Sequence, residues 1–355
     1  MISILHRYII RAILLSAGLV TIVVMGLIFF ITLLGELKDL GVGDYRIGQA
    51  MGYVLLRLPH ELYQLFPILM LLGGMIGLGV LSSQRELVVM RTSGFSIAQV
   101  SKAVFVAAVI LTLLITLVGE WIAPAASYLA AVKKESAKSG GQAVVTGSGI
   151  WMHEGDTFLY VEQVVNRHRL EGVTGYQFNA EHRLQETYYA KSLDLQDDRW
   201  VLHDVMQTTL SSNRLYSQHV EQLPLSIKLN PNLLTMGLIE PSEMSLGRLL
   251  KFIRYLVRNG LQATPYQYEL WERIFQPLTS LVMVFLAIPF VLGVRGSSAM
   301  GWRWLWGVLI GFLFYILNAF FGQASVIFQF PPWLAALSPS LLFIGLSVFL
   351  LRSLR

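Results

Sequence analysis

The chain has 355 residues, 54% of them hydrophobic and only 14% charged, where a soluble domain carries about 25% charged residues. Its formal charge of +5 lies entirely in two apolar flanks, because residues 127–265 hold 14 basic and 14 acidic side chains. The basic residues form no patch with interleaved aromatics on one domain, which argues against nucleic acid. The absence of cysteine excludes disulfides, thiolate zinc sites and cysteine nucleophiles.

Ala12 to Leu34 is a 23-residue run without a charge, long enough to cross about 30 Å of hydrocarbon as a helix. It is too long for a signal-peptide core and no small-residue cleavage site follows it, so a retained first span is expected. Val54 to Leu81 is the second span, with Arg57, His60 and Glu61 at one end and Pro67 expected to kink it. Gly73, Gly74, Gly77 and Gly79 leave it nearly bare of side chains on one face, which suits close approach of a neighbouring helix.

A charged interruption, Ser82 to Gln99, separates the second span from the third. Ser83 and Glu86 have capping-box spacing, Gly94 can take the left-handed turn that ends a helix, and Ser96 with Gln99 repeats the box. The expectation is a short helix at about 83–93, a tight turn, and a fresh helix entering the membrane. A short helix pinned between two spans is what a permease uses to receive force from a soluble motor. Val100 to Ala123 is the third span, expected to break at Pro124.

The period then changes. Short runs of β-formers such as TFLYVEQVV, RLQETYYAKSLDL and WVLHDVMQTTL alternate with turn chemistry, and Asp197-Asp198 between two of them predicts a hairpin. This is an all-β domain, a sandwich or jelly roll. Ser245 is placed to cap an amphipathic helix with Leu246, Leu249, Leu250, Ile253 and Leu256 on its apolar side, ended by Gly260. Three more spans follow: Ile274 to Val294, Trp304 to Phe321, and Trp333 to Leu351.

The expected fold class is an α-helical membrane protein with six transmembrane helices in a 3+3 layout and a β domain between the third and fourth. The boundaries are 1–126 for the first transmembrane half, 127–242 for the β domain, 243–265 for the amphipathic connector, and 266–355 for the second half. With a cytoplasmic N-terminus, nine basic residues (Arg7, Arg11, Arg85, Arg91, Lys102, Arg295, Arg303, Arg352 and Arg355) lie on the cytoplasmic side against one acid, Glu86. The positive-inside rule then puts both termini and the Ser82–Gln99 segment in the cytoplasm and the β domain outside it.

No catalytic constellation emerges. The loop Gly296 to Arg303 lacks the lysine of a phosphate-binding loop, His60-Glu61 has no second histidine four residues on from the first, and no G-x-S-x-G elbow occurs. The spans offer no paired protease residues at mid-depth. The chain is therefore expected to be no enzyme, with no cofactor and no metal site of its own.

Several strings resemble the lipopolysaccharide export permeases, the LptF/LptG family of ABC transporter membrane subunits, and within it the G type more than the F type. They are Arg85 to Met90 with Ser93-Gly94-Phe95, Gly119-Glu120-Trp121 with Ala123-Pro124, Phe275-Gln276-Pro277-Leu278, Phe320 to Gly322, and Pro331-Pro332. The resemblance implies six spans with a periplasmic β-jelly roll, and an inner-membrane location in a Gram-negative bacterium. It implies three kinds of partner: an F-type permease, a dimeric cytoplasmic ATPase that uses ATP and Mg, and a single-span jelly-roll protein of the LptC kind. Such complexes extract lipopolysaccharide and pass it to a periplasmic bridge. The family's coupling helix falls on Ser82–Gly94, with its glutamate on Glu86; Arg85, Arg91 and Phe95 are the further coupling candidates. Lys38, Lys133, Lys134 and Arg57 are candidates for pairing with lipid phosphates, and a basic residue that some G-type subunits carry in the first span falls on Thr32 here. The alternative is a non-transport scaffold or mechanotransmission subunit. Mechanotransmission subunits carry their large domain between the first two spans, whereas here it follows the third.

Overall fold

The computed structural model describes residues 4–138, 150–154, 156–166, 169–179, 181, 183–196, 199–211, 214–225, 240–293 and 300–352. Arg295, Arg355 and the Asp197-Asp198 turn lie outside the described residues. The chain divides into two units: Met1–Leu34 with Leu55–Ser127 and Thr264–Arg355, and Gly35–Val54 with Tyr128–Ala263.

The first unit is helical. It contains most of α1 (Ile4–Glu36) and α2 (Ile47–Ser83), then α3 (Glu86–Thr92), α4 (Ile97–Leu117), the start of α5 (Ala123–Lys138), and three later helices. Those are α7 (Thr264–Gly293), α8 (Met300–Ile327) and α9 (Pro332–Arg352). Among the described residues six helical segments are long and apolar enough to cross a membrane, the third running from Ile97 to Lys138. Because lipid supplies no hydrophobic force between helices, their contacts depend on small residues that let backbones meet. A Cβ added at Gly73 would lie 2.7 Å from the Ala17 Cα, and one at Gly77 would lie 3.1 Å from the Ile13 Cα. Gly74 does the same for α7, against Val284, and Gly307 and Gly311 of α8 abut Met75 and Ile68. The glycine face of the second span is thus a packing face.

Pro124 does not break the third span, contrary to the expectation from sequence. Residues Val118–Ile122 form a π turn in which the Ala123 N–H donates to the Val118 carbonyl, and α5 continues directly from it. The widened turn takes up the proline ring that would otherwise collide with the preceding turn.

Among the described residues the second unit carries an antiparallel sheet of six strands in sequence order: β1 (Ile150–Glu154), β2 (Thr157–Asn166), β3 (Arg169–Phe178), β4 (Leu184–Gln196), β5 (Arg199–Ser211) and β6 (Arg214–Pro224). Gln196 pairs with Arg199, so the strands flanking Asp197-Asp198 do form a hairpin. Two apolar rows cross the sheet. One is Val161, Val173, Ala190, Val205 and Val220; the other is Leu170, Leu193, Leu202 and Leu223. The rows are an odd number of residues apart on each strand, so strict alternation would put them on opposite faces. Gly172 (φ 64°) and Asp204 (φ 56°) lie between them in left-handed conformations, the kind of local kink that re-aims a strand. Most of both rows is buried in one core with Trp200 and Tyr188. The expected class therefore holds: six apolar helices in a 3+3 arrangement, with an antiparallel all-β domain between the third and fourth.

The amphipathic helix is α6 (Leu246–Arg258), with Ser245 at its N-cap position and Gly260 left-handed after its end. Its buried stripe is Leu249, Phe252 and Leu256, while Leu250, expected inside, is exposed.

Candidate functional site

The segment between α2 and α4 is built almost entirely from local hydrogen bonds. The Ser83 capping box expected from sequence is absent: α2 runs through Ser83, whose hydroxyl donates to the Val80 carbonyl. A residue still inside a helix cannot cap the next one, and a serine there bonds back to its own turn. The reversal falls instead on Arg85, left-handed at φ 60°, whose carbonyl accepts from Val88 and Val89. At the other end of α3 the Gly94 N–H donates to the Arg91 carbonyl and the Phe95 N–H to the Met90 carbonyl, with Gly94 at φ 94°. This is a Schellman motif, and its usual apolar contact is present, since Phe95 and Met90 share one core. Ser96 then caps α4 with the full reciprocal box: the Gln99 N–H donates to the Ser96 Oγ at 3.3 Å, and the Ser96 N–H to the Gln99 Oε1 at 2.8 Å.

These bonds decide which side chains are offered outward. Leu87 and Met90 are buried, and Val88 and Val89 on the other face are 57% and 64% exposed. Arg85 and Arg91 are exposed. Phe95, expected among the coupling contacts, is 7% exposed with its ring edge-on to His6 at 5.0 Å, so it anchors the turn and presents no surface. Glu86 accepts from the Tyr8 hydroxyl at 3.1 Å through Oε1, which ties α3 to the start of α1. Its Oε2 is buried and has no hydrogen-bond partner among the described residues. The exposed valine pair escaped the sequence reading, although a four-residue apolar run in a charged loop was its signal.

The basic residues expected to meet lipid separate into different environments. Lys134 is partly buried, with Nζ 2.7 Å from Glu36 and 3.0 Å from Asp39, and it lies over the Tyr53 ring at 4.6 Å. Lys138 takes the same Asp39 oxygen at 2.9 Å. The Tyr45 hydroxyl donates to Glu36 at 2.8 Å, and burial together with that carboxylate raises the phenol well above its usual range. The Asp44 N–H donates to the Ala137 carbonyl at 2.8 Å, and a side chain at Gly43 would collide with the Lys138 backbone. Lys134, a candidate for pairing with lipid phosphates, thus lies inside a bolt between the 36–46 loop and the end of α5, with its charge paired by Glu36 and Asp39. Lys38 and Lys133 are exposed. Arg57, in the first unit, pairs with Glu61 at 3.8 Å. Glu36, Asp39 and Tyr45 were missed as partners because nothing local points across 98 residues to Lys134. Between α1, α2 and α4 there is also an apolar cavity of about 390 Å³, lined by Ala17, Thr21, Phe66, Met70, Leu111 and Ile115 among others.

The profile of the lipopolysaccharide export system permease family LptF/LptG matches residues 7–353. The chain belongs to that family. It is 34% identical over 352 residues to the lipopolysaccharide export system permease protein LptG of Escherichia coli K12, covering 98% of each chain. It is 31% identical over 357 residues to the LptG protein of Haemophilus influenzae, covering both chains completely. The LptF/LptG strings read from the sequence now have structural places: Arg85 to Phe95 makes α3 and its cap, and Gly119 to Pro124 makes the π turn.

Proposed function

We propose that this chain is the G-type permease subunit of an ATP-driven exporter that lifts lipopolysaccharide out of the inner membrane toward a periplasmic bridge. The observation that carries the reading is the α3 segment: a short helix with hydrogen-bonded turns at both ends, joined without slack to two spans and offering Val88, Val89, Arg85 and Arg91 outward. A separate dimeric ATPase, which supplies the ATP and Mg chemistry, grips this surface in the cytoplasm. Glu86 pairs with a basic group of the ATPase, its Oε2, buried and without a partner among the described residues, becoming accessible as the two chains dock. The charge asymmetry of the loops supports cytoplasmic termini and a periplasmic β domain.

When the ATPase closes, α3 is pushed and α2 and α4 move together, because the Schellman turn and the Ser96 box leave no frayed joint to absorb the motion. An F-type permease completes the lipid path, and the exposed apolar faces of α1 and α8 suit that contact. The lipid's phosphates meet Lys38 and Lys133, with Arg57 contributing once it leaves Glu61. The β domain accepts the lipid together with a single-span, LptC-like jelly-roll partner. Two variants test the reading: Glu86→Arg and Val89→Asp, each assayed for co-purification with the ATPase and for lipopolysaccharide release from proteoliposomes. Loss of both activities is expected; full retention of complex and release sinks the mechanism. ATP turnover without any lipid release in the wild-type complex would favour the scaffold alternative.

A further inference from the structure

The π turn of the third span leaves the Gly119 carbonyl without a helical donor. In an α-helical register the Gly119 carbonyl would accept from the Ala123 N–H, but that group donates to Val118. In the π register its donor would be residue 124, which is proline and has no N–H. In a bilayer an unsatisfied backbone carbonyl costs several kcal/mol, so the chain must find another donor. It finds Arg273 of α7, whose Nη1 donates to the Gly119 carbonyl at 3.2 Å.

The surroundings fit this one contact. Arg273 is 4% exposed, and its guanidinium lies over the Tyr63 ring of α2 at 5.2 Å. The Tyr63 carbonyl accepts a hydrogen bond from the Gln276 amide, one turn further along α7. Gly119 must be glycine here, since a Cβ would overlap the Tyr63 ring. The charge is balanced by Glu269, 3.8 Å from the Arg273 Nε, and Glu272 accepts from Asn318 of α8 at 2.6 Å. Three helices, α2, α4 and α7, thus converge on the place where the third span departs from α-helical geometry.

We propose that Arg273 is a positioning residue for transport: by serving the carbonyl that Pro124 leaves without a donor, it locks α2, α4 and α7 into one body. A push received at α3 by α2 and α4 then reaches the second transmembrane half instead of being lost in the π turn. This rests on the reading of α3 as the point of force entry.

The test is a double-mutant cycle in the assembled transporter, reconstituted with its ATPase and partner permease. Arg273→Gln is always made together with Glu269→Gln, so that removal of the arginine leaves the net charge of the cluster unchanged, and Pro124→Ala is tested with and without that pair. With Arg273→Gln, lipid released per ATP hydrolysed is expected to fall about tenfold, within the range of ordinary coupling energies. Pro124→Ala restores an N–H to the turn, so adding it to Arg273→Gln should recover most of the loss, a non-additivity that a purely local packing defect would not show. If Arg273→Gln fails to assemble, assembly becomes the readout: rescue by Pro124→Ala supports the proposal, and failure of the rescued chain overturns it. Equal impairment with and without Pro124→Ala also overturns it. Normal release per ATP in Arg273→Gln refutes the transmission. Glu86→Arg in the same assay separates the two readings, because if Glu86→Arg is silent while Arg273→Gln is impaired and rescued, only the α3 reading fails.

Discussion

Replacing Lys134 with methionine separates a structural lysine from a lipid-binding one. The substitution keeps the apolar stem and removes the charge. In the native chain that charge lies 2.7 Å from Glu36 and 3.0 Å from Asp39. Asp39 would retain Lys138 at 2.9 Å, and Glu36 would retain the Tyr45 hydroxyl at 2.8 Å, so neither carboxylate is left bare. What is lost is the charged partner of a mostly buried Glu36, worth roughly 2 kcal/mol, below the 3–5 kcal/mol seen when a fully buried pair is broken outright. Lys133→Met, one residue earlier and exposed, should change stability by no more than about 0.5 kcal/mol. The assay is thermal unfolding of the purified chain in detergent, with photo-crosslinking to lipopolysaccharide on the same samples. Lys134→Met is expected to unfold earlier with crosslinking retained at Lys133 and Lys38, and Glu36→Gln in the same chain to be far from additive. A Lys134→Met chain as stable as Lys133→Met, but with lipid contact abolished, would refute the structural assignment.

The turn geometry gives a contrast between two serines. Ser96→Ala should cost about 1 kcal/mol and reduce lipid release, whereas Ser83→Ala, outside any cap, should be nearly silent in both melting and transport. Arg85→Gly should stabilise the α2–α3 reversal by about 1 kcal/mol, since glycine adopts φ 60° freely; a clear loss of stability would contradict the strained-turn reading. Gly119→Ala should destabilise the helical unit through Tyr63, while Gly18→Ala, mid-helix with nothing near its would-be Cβ, should not lower the melting temperature. In the β domain Leu193→Ala should cost about 2–5 kcal/mol, read as selective proteolysis of residues 150–225.

The spans could be read from the sequence because a charge-free run of some twenty residues has few other fates, and strand periodicity set apart the β domain. Charge asymmetry and the glycine face were similarly plain. What sequence could not show depends on choices made at a distance. Ser83 and Glu86 have the spacing of a cap, but spacing records only compatibility, and α2 continued through Ser83. Phe95 looked like a contact until its Schellman turn placed it inside. Pro124 looked like a helix end because its rescue by a π turn and Arg273 involves a helix about 150 residues further along the chain. The partners of Lys134 were hidden because Glu36 and Asp39 precede it in the chain by two whole spans. Strict alternation in the strands likewise failed where Gly172 and Asp204 redirect the chain.

The central claim, that an outside motor grips α3 through its exposed face, is tested most directly by a photo-crosslinking amino acid placed in turn at Val89 and at Phe95 of the assembled complex. Crosslinks to the ATPase are expected from Val89, whose side chain is 64% exposed, and none from Phe95, which lies inside the turn. Absence of any ATPase crosslink at Val89, in a complex that still hydrolyses ATP and releases lipid, would contradict the account.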